Sequence, residues 1–63
     1  SGRTPVKVIG PVDKGDRLVA AGNGLARKAS TDEVNNFNVI GRSLETKYSD
    51  EEGTIEAIVA IVN

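Results

Sequence analysis

Apolar and polar residues alternate along most of the chain, and turn-forming residues interrupt them at short intervals, which is the pattern of a domain built from short β-strands. The first segment runs from Arg3 to Ile9, with Val6 and Val8 on one face and Lys7 and Ile9 on the other. Pro5 has no N–H, so it belongs at a strand start or on a sheet edge. Gly10-Pro11 ends the segment. Val12 to Asp16 reads as a turn in which Gly15 takes a positive φ. A short apolar segment from Arg17 to Ala21 follows. Gly22-Asn23-Gly24 comes next, and Asn-Gly suits a type I′ hairpin turn. Leu25 to Ala29 is the third segment, with Leu25, Arg27 and Ala29 alternating against Ala26 and Lys28.

The period then changes. Ser30 with Glu33 three residues later matches a capping box. The stretch after it is too short for more than one helical turn or a 3₁₀ loop, with Val34 and Phe37 turned inward. Asn38 to Leu44 is a fourth strand interrupted by Gly41, which signals a bulge or a close backbone approach. Lys47 to Gly53 is the most polar stretch and reads as a surface hairpin loop. In Thr54 to Val62, Ile55, Ala57, Val59 and Ile61 form one face, and Glu56, Ile58, Ala60 and Val62 the other. The second half is apolar on both faces. Such a strand is either central in the core or covered by another chain. The whole predicts one mainly β domain over residues 1–63, barrel- or clip-like, with about five to seven short strands and at most one helical turn.

Composition bears on what can stabilise so small a domain. The chain has 63 residues and no Cys, His, Met or Trp. Without Cys there is no disulfide, and without Cys or His a zinc, haem or iron–sulfur site is effectively excluded. A chain this short buries roughly 60% of its unfolded surface and is marginal alone. Oligomerisation is the remaining route to extra stability. The aromatics Phe37 and Tyr48 are expected to cap the small core. Eight Lys and Arg against nine Asp and Glu give a net charge of -1, which is no electrostatic footprint for nucleic acid. No apolar run reaches the roughly 18 residues of a membrane span. A start at Ser1-Gly2, without Met, suggests an excised domain or a processed product.

Candidate chemistry is sparse. General base catalysis at neutral pH has no His to use. Asp50, Glu51 and Glu52 lack the alternating ligand spacing of an EF-hand and read as a solvated loop. Asp13 and Asp16, flanking Gly15, read as turn-bonding carboxylates. Gly22-Asn23-Gly24 lacks the further glycines and the following helix of a phosphate loop. Arg27-Lys28 with Lys14, Arg17 and Arg42 reads as solvated strand faces whose charge nearby acids compensate. No catalytic, cofactor or metal residue is assigned, and no cofactor is expected.

The order of motifs brings a family into view. Gly2-Arg3-Thr4-Pro5-Val6-Lys7-Val8, then Gly15-Asp16-Arg17-Leu18-Val19, Gly24-Leu25-Ala26, Val39-Ile40-Gly41-Arg42-Ser43-Leu44-Glu45 and Gly53-Thr54-Ile55-Glu56 cover nearly the whole chain. The set resembles the small C-terminal β-domain of bacteriophage tail-fibre and related virion structural proteins. It resembles, more distantly, β-clip domains. Lipoyl and biotinyl carriers share a Val-x-x-Gly-Asp turn, but neither Lys14 nor Lys47 has the neighbours of a modified lysine. The resemblance implies a non-enzymatic virion component, a homo-oligomer with a trimer favoured, in contact with other virion proteins and located in the virion. A head decoration or cement protein, and a β-clip module binding carbohydrate or a host-surface glycan, are the alternatives. The expected subunit contact is Ile58, Ala60 and Val62, and the expected recognition loops carry Asn23, Gly24, Asp50 and Glu51.

Overall fold

The computed structural model describes residues 2–32 and 39–59. They form five strands: β1 (Gly2–Val8), β2 (Arg17–Gly22), β3 (Leu25–Lys28), β4 (Val39–Ser43) and β5 (Gly53–Val59). The strands close into a barrel in the order β1-β3-β2-β4-β5, with β5 returning to β1. Every pairing is antiparallel except β1 with β3. The mainly β, barrel-like expectation holds. Glu33, which with Ser30 would make the capping box, the inward Val34 and Phe37, and the end of the last strand at residues 60–62 lie outside the described residues.

Period-2 patterning sets the inside of the barrel. On β5, Ile55 and Ala57 are buried, whereas Thr54 and Ile58 face outward. Val8, Val12, Leu18, Val19, Ala26 and Ala29 complete the buried apolar set. Most of these side chains are small. Fully burying a Val, Leu or Ile contributes about 1.5–3 kcal/mol, and the alanines contribute less, so the core formed by the described residues is thin. Val12 departs from the sequence reading. It is not simply a turn residue: it is fully buried and its backbone pairs with Lys47, donating at 2.9 Å and accepting at 2.7 Å. Tyr48 is a second correction. It is 87% exposed and does not cap the core, because its loop projects from the barrel.

The turns follow the residue chemistry. Asn23 and Gly24 both have positive φ (55° and 76°), as a type I′ turn between β2 and β3 requires. Gly15 sits at φ 93° in the β1–β2 connection, where Asp13 N donates to the Asp16 carboxylate at 2.9 Å. Ser43 is the buried polar residue at the end of β4. Its backbone is bonded to Gly15 N and Asp16 O, and its hydroxyl bridges both backbone groups of Glu45.

Gly41 permits the tight side of the barrel. The pairing with β2 jumps from Leu18↔Gly41 to Val19↔Val39, which leaves Ile40 as a bulge on β4. Across the other ladder Gly41 faces Val59. A Cβ on residue 41 would lie 2.3 Å from the Ile58 carbonyl oxygen and 3.1 Å from the Val59 Cα. Both are backbone atoms, so no rotamer change relieves the clash. The opposite side is loose. β1 and β3 share a single register pair, Val8↔Ala26, beside which Ile9 N donates to Ala26 O at 2.9 Å.

The strand parity shows which way β1 points its backbone groups. Glu56 O accepts from Leu44 N, so Glu56 turns its backbone toward β4 and away from β1. Pro5, opposite Glu56, therefore turns its nitrogen away from β5 and toward the loose seam. The residue without an N–H occupies the edge, where the absence of a donor costs least.

A domain of this length has a stability of about 3–9 kcal/mol, at about 0.05–0.15 kcal/mol per residue. Gly41→Ala is expected to remove about 3 kcal/mol or more by overpacking against backbone. Gly53→Ala, where a Cβ would press on the Lys47 stem but on no backbone atom, is expected to cost less, about 1–2 kcal/mol. Urea unfolding followed by circular dichroism compares the two, and equal losses would contradict this assignment of the tight contact.

Candidate functional site

Two surface features stand out from the barrel. The first is the loop before β5. Lys47 is half-buried, and its stem lies over Gly53. Its ammonium donates to the carbonyls of Gly10 (2.9 Å), Ser49 (2.8 Å) and Glu51. An ammonium has three donors and no acceptor, so three carbonyls satisfy it completely. The loop thus wraps its backbone around a cation while its side chains, Tyr48 through Glu52, face solvent. Asp50, Glu51 and Glu52 make no ion pair among the described residues.

The second feature is a row across four strands. The registers Arg17↔Arg42, Arg42↔Ile58 and Ile58↔Arg3 place these residues side by side on β2, β4, β5 and β1. All are exposed, with Ile58 at 38%. Ser43 N donates to Asp16 O and Ala29 N to Arg17 O. That parity makes Arg17↔Arg42 a non-hydrogen-bonded pair, the kind in which facing side chains stand closer. Like charges directly opposite destabilise a sheet by about 0.2–1 kcal/mol. None of the three arginines has an ion pair among the described residues.

The compensation expected from sequence therefore fails at this row. Asp16 is the nearest acid in sequence to Arg17, but it pairs with Lys28 at 3.6 Å and accepts from Asp13 N. Arg3 joins the row only because barrel closure sets β1 beside β5, and no local pattern announces that neighbour. The role of Lys47 was equally hidden, since two of its acceptors adjoin it in sequence but the third is Gly10.

The residues singled out from sequence fall in three places. Ile58 is on the outer face of β5, within the arginine row; Ala60 and Val62 lie outside the described residues. Asn23 and Gly24 form the exposed tip of the β2–β3 hairpin. Asp50 and Glu51 are on the exposed loop before β5. Val8 pairs with both Ala26 and Gly53. From that level the hairpin tip runs back along β1 and the acidic loop runs beyond its end. The two loops do not converge on one site.

The Glu45 carboxylate reaches β5, where its Oε1 accepts from the backbone N–H of Glu56. The Oε2 of Glu56 is buried without a hydrogen-bond partner. Among the described residues no group of three or more Asp or Glu is arranged to hold a metal ion, and no helix is long and apolar enough to cross a membrane.

Lys47→Met keeps an unbranched stem over Gly53 and removes the three donors. It is expected to lower stability by about 1.5–3 kcal/mol, the range for hydrogen bonds to a charged group. Amide exchange at residues 48–52 should rise more than exchange in β2. Unchanged exchange in that loop would show that the ammonium does not hold it. Comparison with protein-family models, with curated proteins and with solved structures found no match.

Proposed function

We propose that the chain is a non-enzymatic structural module of a bacteriophage particle, a terminal or assembly domain of a tail fibre, which associates with copies of itself as a trimer and with other virion proteins. One observation carries the self-association. Ile58, a large apolar residue, is exposed on the outer face of a paired strand, in a row otherwise made of arginines. The small side chains of the described core support the same reading, because association adds apolar burial to them. The phage assignment rests on the resemblance of the motif series from Gly2 to Glu56. A head decoration or cement protein is the same proposal at another position in the particle.

A second reading is a β-clip-type module that binds a carbohydrate or a host surface. Its support is Tyr48, an aromatic 87% exposed on the acidic loop, where a sugar ring can stack. Light scattering at micromolar concentration tests the first reading. The expected mass is three times the 6.6 kDa of the chain. A monomer together with retention on a glycan array would replace it with the second.

A further inference from the structure

We infer that the copies associate head to tail, with the acidic loop Tyr48–Glu52 of one chain docked on Ile58 and its flanking Arg3 and Arg42 on the next. This rests on the self-association proposed above and names its surfaces. The occupant is a second copy of this chain, argued from charge and from apolar exposure. A net charge of -1 conceals a separation: Arg3 and Arg42 flank Ile58 on the outer wall, with Arg17 one strand further round, and three carboxylates occupy one loop, none of them with an ion pair among the described residues.

The two patches do not neutralise each other within one chain. Gly53, where the loop ends, is separated from Ile58 by about 17 Å of strand at about 3.3–3.4 Å per residue. That exceeds the screening length of about 8 Å at physiological salt. The other charges nearby do not cancel either patch. Lys7, opposite Thr54, and Lys14 lie on the loop side, and neither has an ion pair to the loop. Glu56 shares the outer face with Ile58 but makes no ion pair with Arg3 or Arg42, and Asp16 is engaged by Lys28.

Apolar exposure follows the same division. Tyr48 and Ile58 are the two large exposed hydrophobics among the described residues, one in each patch. Docking the loop on the row covers both at once. It also sets carboxylates against Arg42, which faces Arg17 across the β2–β4 pair and has no ion pair among the described residues. Because Lys47 already ties the loop backbone to three carbonyls, docking orders little that is free, which lowers the entropic cost of binding. Two different patches make a heterologous contact, and such contacts close into a ring when the rotation per copy divides a full turn. A cyclic trimer is one such closure.

Charge reversal tests the pairing. R3E/R42E sets acid against acid, and D50K/E51K sets base against base. Each is expected to weaken association by about a hundredfold or more, since like-charge juxtaposition at an interface costs several kcal/mol. The four-fold variant R3E/R42E/D50K/E51K is expected to recover the oligomer mass. All four positions are exposed, and circular dichroism checks that each variant folds. Wild-type association should also weaken steeply between low and high NaCl. A monomeric wild type would overturn the self-association reading and this inference together. An oligomer indifferent to both reversals and to salt would overturn the head-to-tail contact and leave self-association standing. Loss in both double variants without recovery in the four-fold variant would likewise overturn the direct pairing of loop and row.

Discussion

A missing side chain is the constraint on which the barrel depends. β4 and β5 approach so closely at residue 41 that a Cβ would collide with two backbone atoms of β5. The same glycine is paired with Leu18 on its other side, next to the Ile40 bulge. Among the described residues, valines and alanines with Leu18 and Ile55 fill the interior. The close approach also brings Arg42, the residue after Gly41, between Arg17 and Ile58. The arrangement of the outer face is thus a consequence of tight packing underneath it.

Polar groups at the barrel's ends are tied rather than solvated. Ser43 satisfies its hydroxyl within the turn that follows β4, and its backbone is held by the β1–β2 connection. Lys47 gathers carbonyls from two separate connections. Neither device adds apolar burial. Both restrict how the connections can move, and restricted loops suit a domain whose core contributes little surplus. The chain gains order at its surface from hydrogen bonds that a larger protein would draw from packing.

Local features of the fold were legible in the sequence. Alternation on β5 separated Ile55 and Ala57 from Ile58, Asn23-Gly24 marked its turn through the φ values it tolerates, and Gly41 announced a close approach. Features that depend on long-range register were not. Val12 looks like the start of a turn because the partner that buries it, Lys47, is far away in sequence. Tyr48 looks like core because aromatics usually are, whereas it lies on an exposed loop whose carbonyls bind the neighbouring Lys47 ammonium. The arginine row was half visible: Arg17 and Arg42 were noticed, but their opposition is set by strand pairing, and Arg3 enters only through closure.

The loose seam between β1 and β3 bears on how such chains can meet. Over most of its length β1 is zipped to β5 alone, and on its free side Pro5 leaves a gap between the amides of Arg3 and Lys7. A visiting strand would find no continuous ladder to extend. Chains crowded together can therefore touch through side chains without merging their sheets or exchanging strands. Each copy keeps its own barrel, and contacts made this way remain reversible until geometry or further partners lock them.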